Sequence, residues 1–197
     1  MIANSTAGNK TAIRRRIRLE IDSMTPAFAL AASRTIQESV LALPQYRSAT
    51  AVGCYLSTAT EPRTDRILIE SWKTGKRVAV PAWDSTAGTY FLTWLQSHTS
   101  LATGPSGILQ PSVVSAVTPG DIDMITVPGL AFDGHGNRLG HGKGHYDRML
   151  SDTGWLGVYK LGLAFDFQVV DAVPAIKTDV RMDAVLTERR IVRSVDA

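Results

Sequence analysis

Residues 128–148 read PGLAFDGHGNRLGHGKGHYDR, and no other stretch limits the folds open to this 197-residue chain as sharply. Gly134, Gly136, Gly140, Gly142 and Gly144 are threaded there with Arg138, Lys143, His135, His141, His145 and Asp147. Glycine backbone adopts positive φ and comes close to a ligand, and successive amides then make anion-binding concavities. Neighbouring cations add charge-assisted hydrogen bonds to phosphate. A mobile linker would mix glycine with serine rather than with Arg, Lys, His and Asp. The stretch therefore reads as a phosphate cradle, fed by a strand over residues 121–127 (DIDMITV) and leading into a helix over residues 146–151.

Two familiar phosphate loops do not fit it. A G-x-x-x-x-G-K-[ST] loop ending at Gly142-Lys143 would need glycine at Asn137 and a hydroxyl at Gly144. The G-x-G-x-x-G fingerprint fails as well, because Gly134-x-Gly136 is followed by Gly140 and Gly140-x-Gly142 by Gly144. Neither a P-loop NTPase nor a nicotinamide enzyme is supported.

Elsewhere helical and strand patterns alternate. Residues 1–9 are small and polar and are expected to fray. From Lys10 onward, Ile13, Ile17, Ile21 and Met24 recur at helical spacing. Lys10 and Arg14 share another side of that helix and could face one anion, while Arg14, Arg15, Arg16 and Arg18 equally fit a solvated face. Thr25-Pro26 is a helix start, and the second helix is expected to run to about Leu43. Residues 49–56 form an apolar strand opening into residues 57–61, where a ligand loop sits in an open α/β sheet. A third helix over residues 64–73 stops at Gly75, and strands follow over 77–81 and 90–95. Residues 99–118 read as an ordered loop, 155–164 contain a strand, 167–171 a short helix and 183–186 a last strand. The expected class is α/β: a three-layer, Rossmann-like open sheet, mainly parallel, with helices on both faces. The length fits one domain over residues 1–197.

A net charge of +3 suits an anionic ligand but is too weak to imply nucleic acid. The longest apolar run, residues 27–32, is far short of the roughly 20 residues of a membrane span. With Cys54 as its one cysteine, the chain is expected in a reducing compartment, the cytoplasm. Its Arg-rich start faintly resembles an organelle transit peptide.

His141 and His145 have the i, i+4 spacing of a helical zinc pair, but the glycines around them disfavour a helix. Cys54 lies in an apolar strand, where a thiol is usually inert. Asp147 and Asp179 are candidate carboxylates for a magnesium ion beside phosphate, or surface and capping aspartates. Glu61 either meets a polar substrate group or caps the next helix.

The central stretch closely resembles the signature of the 5-formyltetrahydrofolate cyclo-ligase family, P-G-hydrophobic-x-F-D…R-L-G-x-G-x-G-x-Y-D. Weaker likenesses lie at Lys10–Arg14, Leu56 with Glu61, Ile108 to Pro111, Thr178-Asp179, Asp183 and Thr187-Glu188. The resemblance implies ATP contacts by Lys10, Arg14, Arg138, Leu139, Gly140, His141, Gly142, Lys143, Gly144, His145 and Tyr146. It assigns Leu56, Glu61, His145 and Tyr146 to the folate, Asp147 and Asp179 to Mg²⁺, and the catalytic charge to Lys143 and Arg138. A cleaved transit peptide would remove part of that site. The implied reaction is phosphorylation of the formyl oxygen by ATP, then ring closure to 5,10-methenyltetrahydrofolate. A monomer acting on small molecules is expected, with no nucleic acid or membrane partner; the alternative is a non-catalytic nucleotide- or folate-binding relative. Three residues depart from the family pattern: His145 replaces a tyrosine, His141 an Arg or Gly, and Ser106 an aromatic for which Trp83 or Trp94 could substitute.

Overall fold

Apolar residues on the strands alternate, and the alternation sorts them into two cores on opposite faces of one sheet. Val52, Val78, Val80, Met124, Leu161, Leu163, Ala184 and Leu186 pack on one face, and Ala51, Ala79, Ile125, Val127 and Val185 on the other. Period-2 side-chain direction requires this wherever both faces are covered. The computed structural model describes residues 2–151 and 153–194; the side chains of residues 2–8 and of Ser106 lie outside that description.

The helices are α1 (Ile2–Ser23), α2 (Pro26–Ala42), α3 (Pro44–Ser48), α4 (Asp65–Lys73) and α5 (His145–Leu150). The strands are β1 (Ala51–Gly53), β2 (Arg77–Asp84), β3 (Thr89–Trp94), β4 (Leu101–Thr103), β5 (Leu109–Pro111), β6 (Met124–Pro128), β7 (Ala131–Phe132), β8 (Arg138–Leu139), β9 (Tyr159–Leu163), β10 (Ala184–Leu186) and β11 (Ile191–Arg193). The main sheet has the order β11-β10-β9-β6-β1-β2-β3. Its inner pairings are parallel, and β3 and β11 are antiparallel edges. The α/β class and the mainly parallel sheet are as expected.

From β1 the chain passes through α4 to β2 on one side; from β6 it proceeds to β9 and β10 on the other. Neighbouring parallel strands whose continuations diverge leave a crevice outside their carboxyl ends. The loops after Gly53 and after Pro128 open into that crevice.

Local signals account for several boundaries. Thr25 Oγ1 accepts the Phe28 N–H at 3.2 Å, with Pro26 in the first turn of α2. The first helix, expected from Lys10, already runs from Ile2, so the backbone of residues 2–9 is helical where fraying was expected; Met1 lies outside the described residues. Its Ile17 and Ile21 pack on Leu130, Ala131, Leu139 and Val173, seating α1 against the glycine-rich stretch. Among the described residues no helix is long and apolar enough to cross a membrane.

Candidate functional site

The glycine-rich stretch divides into two parts. Residues 131–139 form a hairpin, β7–β8, whose turn is held by Asp133: its Oδ1 accepts the N–H groups of His135 and Asn137, and its Oδ2 accepts Asn137 Nδ2 and the Val173 N–H. Gly136 has φ +75, and a Cβ there would collide with the Met182 carbonyl and Ser194 Oγ. Its role is packing. Gly134, His135 and Gly136 belong to a turn outside the cavity, whereas Gly140 and Gly144 line it.

That cavity, of about 650 Å³, lies at the crevice between the β1 and β6 loops. One wall is cationic. Gly140, His141, Lys143 and Gly144 form it with Arg138, Tyr146 and Asp147. Arg138 is buried, 6% exposed, and its Nη2 donates to Asp147 Oδ1 at 2.7 Å. The same guanidinium lies 5.5 Å from the centroid of the Tyr146 ring, and its buried Nε has no hydrogen-bond partner among the described residues. Arg14 Nε donates to the Gly140 carbonyl at 3.0 Å, so α1 supports the loop from outside. Gly142 adopts φ +107, and Gly144 enters α5 in the left-handed region.

Arg148 grips the same loop, donating from Nη1 to the Lys143 carbonyl and pairing through Nη2 with His145 Nδ1, both at 2.9 Å. Desolvation first, then the charges of Arg148 and Lys143, hold His145 below the usual histidine range. His141 is also held low, by desolvation and by Arg18, Arg14 and Arg138, against the opposing pull of Glu61. Burial, with a smaller push from Glu61, keeps the Tyr146 phenol well above its ordinary pKa and therefore protonated.

The facing wall is apolar and aromatic. Trp83, Tyr90 and His145 meet edge to face, with centroids 5.1 and 5.2 Å apart. Pro81, Leu56 and Tyr55 extend this wall, and the β4–β5 hairpin closes it with Pro105, Ile108 and Leu109. At the rim, Glu61 Oε2 accepts both the N–H and the Oγ1 of Thr58 at 2.9 Å. Glu61 therefore ties its own loop rather than capping α4, whose first turn carries Asp65.

Of the residues singled out above, Leu56, Glu61, Arg138, Gly140, His141, Lys143, Gly144, His145, Tyr146 and Asp147 line the cavity. Arg14 and Gly142 sit behind its loop, where Arg14 Cζ is 3.6 Å from the position of a Gly142 Cβ. Leu139 faces the core instead, 2% exposed. Lys10 Nζ pairs with Asp179 Oδ2 at 2.9 Å, and neither residue lines the cavity. Among the described residues no group of three or more His, Cys, Asp or Glu could hold a metal ion. Cys54 is buried, its thiol pushed up to about 11, with Thr126 Oγ1 3.3 Å from Sγ; it is no nucleophile at neutral pH. Trp83 lines the cavity whereas Trp94 lies under Arg77, 4.4 Å away; Ser106 falls outside the described side chains. Tyr90 and Pro105 were not legible as site residues, since only the β2–β3 pairing and the hairpin bring them there.

A family model described as 5-formyltetrahydrofolate cyclo-ligase family matches residues 6–188. The chain is 29% identical to the mouse protein named 5-formyltetrahydrofolate cyclo-ligase over 198 residues, covering 95% of this chain and 98% of that one. It is 33% identical to the Mycolicibacterium smegmatis protein of the same name over 144 residues, 71% of this chain and 74% of the other. The structure of Aquifex aeolicus 5,10-methenyltetrahydrofolate synthetase superposes with a TM-score of 0.83 at 29% identity, covering 95% of this chain and 94% of that chain. With a signature segment, a fold and a full-length match in agreement, this chain belongs to the 5-formyltetrahydrofolate cyclo-ligase family.

Proposed function

We propose that the chain cyclises 5-formyltetrahydrofolate to 5,10-methenyltetrahydrofolate at the expense of ATP, releasing ADP and phosphate. One observation carries this reading: a single cavity has a cationic glycine wall suited to a triphosphate facing an aromatic wall suited to a flat heterocycle. The formyl group is an amide whose oxygen is a poor leaving group. In the proposed reaction that oxygen attacks the γ-phosphorus as the bond to ADP breaks. The neighbouring folate nitrogen then attacks the activated carbon, and phosphate leaves with the carbon–oxygen electron pair as the nitrogen loses its proton. The ring is thereby closed.

The protein's share is positioning and charge. Lys143 and Arg138 would counter the charge spread over the transferring phosphoryl group, and Gly140–Gly144 amides would wrap the phosphates, with Leu139 supporting them from the core. Lys10 and Arg14 would add positive charge from α1, and His141, His145 and Tyr146 would border the nucleotide. Leu56, Tyr146 and His145 would hold the folate, and Glu61, its Oε2 fixed by Thr58, would accept from the donor edge of the pterin. A magnesium ion beside phosphates takes one or two protein carboxylates. Asp147, on the cavity wall, fits that need, and Asp179 would join it only after leaving Lys10. When bound, the ion would neutralise phosphate charge.

The test follows absorbance of the methenyl product after mixing protein, Mg²⁺ and 5-formyltetrahydrofolate with and without ATP. ATP-dependent growth is expected, reduced by at least about 100-fold in Lys143→Ala, with circular dichroism unchanged. Near-wild-type turnover in that variant would remove the assignment of Lys143. Ligand binding without any turnover by the wild type would instead fit a non-catalytic relative. We propose a cytoplasmic monomer.

A further inference from the structure

Strand β2 outruns its neighbour β1. Their pairing ends at Gly53 opposite Ala79, yet β2 continues along β3 to Asp84. Residues of β2 present their backbone groups alternately to the two sides. The Val78 carbonyl accepts the Leu95 N–H on the β3 side, and the Ala79 carbonyl accepts the Cys54 N–H on the β1 side, both at 2.8 Å. Continuing the alternation, Pro81 and Trp83 face the side where β1 has stopped and the cavity begins. An unpaired N–H there would be costly beside an apolar ligand. Pro81 has none to leave unpaired. The Trp83 N–H is taken by the side chain of Gln110, donating to Oε1 at 2.9 Å.

Gln110 lies on β5, in the hairpin that brings Pro105, Ile108 and Leu109 to the cavity. Its amide oxygen stands in for the acceptor that a further strand would supply, and so ties the hairpin to the sheet beside the aromatic wall. The fit around this amide is close. A Cβ at Gly104 would stand 2.7 Å from Gln110 Oε1, although φ −88 at Gly104 is open to any residue. Glycine there leaves room for the amide.

We propose that Gln110 is a positioning residue that holds the β4–β5 hairpin over the aromatic wall and thereby sets affinity for the folate but not for the nucleotide. The inference rests on the cyclo-ligase reading above. The separation follows from the geometry: the hairpin supplies the apolar closure, whereas the cationic wall is built from residues 138–147 and buttressed by α1.

Steady-state kinetics on the full chain test it. Gln110→Met removes the acceptor while keeping the length; it should raise the folate KM about tenfold, as expected for losing one part-buried hydrogen bond, and leave the ATP KM within about twofold. Gln110→Glu retains an oxygen acceptor and should return the folate KM to within about threefold of wild type. Gly104→Ala pushes the amide aside while leaving residue 110 itself unchanged, and should reproduce Gln110→Met. An unchanged folate KM in both Gln110→Met and Gly104→Ala, or a parallel rise in both KM values, overturns the proposal. Calorimetric titration with 5-formyltetrahydrofolate separates this failure from that of the reaction. A wild type that binds without turnover removes the activity yet leaves the Gln110 effect readable in Kd, and a wild type that binds nothing overturns both.

Discussion

The two walls of the cavity are built on opposite plans. The cationic wall is nearly contiguous in sequence, residues 138–147, and is ordered by backbone conformation and by the Arg138–Asp147 ion pair. The aromatic wall is gathered from the loop after β1, from β2 and β3, from the β4–β5 hairpin and from His145 at the start of α5, and is ordered mainly by the sheet. A short segment can therefore specify charge placement, whereas a flat apolar slot needs the whole topology. The walls should also fail differently: damage to the first removes nucleotide binding and phosphoryl transfer, and damage to the second removes folate binding alone.

Trp83→Ala sharpens that contrast most. Ring stacking against a heterocycle is worth about 1–3 kcal/mol, so the folate KM should rise roughly thirtyfold at about 2 kcal/mol. Trp83 meets residues 138–147 edge to face at His145, and the ATP KM should stay within about threefold. Separate titrations of ATP and folate in the turnover assay measure both, and equal losses would show that the walls act as one unit.

This division explains what the sequence revealed. The helix start at Thr25-Pro26 was legible because its signal is local. So was the strand feeding the loop, observed as β6. The strand expected over residues 49–56 shortens to β1, Ala51–Gly53, because Tyr55 and Leu56 line the cavity rather than continue the ladder; their apolar character looks the same in sequence. Residues 99–118 look like an ordered loop in sequence because β4 and β5 are three residues each and lack alternation long enough to stand out. The resemblance implies an ATP contact at Leu139, whereas its side chain packs with Ile17 and Ile21 of α1. Tyr90 had no motif to mark it, since Trp83 meets it through the β2–β3 register and His145 reaches it only across the fold.

The two halves of the glycine stretch should differ from each other in ATP affinity, by less than the Trp83 effect on folate, and this tests where the cationic wall begins. Gly136→Ala meets both a positive φ and the Met182 carbonyl, so it should cost about 2–3 kcal/mol of stability. Gly142→Ala meets φ +107 with only ordinary contact to Arg14; about 1–2 kcal/mol of strain should displace the loop and raise the ATP KM more than it lowers the urea midpoint. Gly134→Ala has nothing within 4 Å of the new methyl and no positive φ, and should be near neutral in both. Urea denaturation beside ATP titration distinguishes the three. A drop in ATP affinity at Gly134 would extend the cradle back into the β7–β8 turn.

The smallest expected effect comes from His141. Desolvation and the charges of Arg18, Arg14 and Arg138 lower its pKa, so in the free protein the imidazole is neutral at pH 7 and adds no cation to the wall. A histidine whose folded pKa lies below its unfolded value binds its proton less readily when folded. The linked stability is therefore present at neutral pH and is lost as pH falls through the folded value. Nucleotide affinity has the opposite pH trend, because protonation supplies a positive charge at the loop. The ATP KM of the wild type should fall about threefold between roughly pH 8 and pH 5.5, and His141→Gln should flatten that part of the profile. His141→Arg should give the lower KM at both ends, since guanidinium stays charged throughout. If the wild-type and His141→Gln profiles coincide, the side chain at the mouth of the cavity does not reach the phosphates, and the charge of the wall resides in Arg138, Lys143 and the residues of α1 alone.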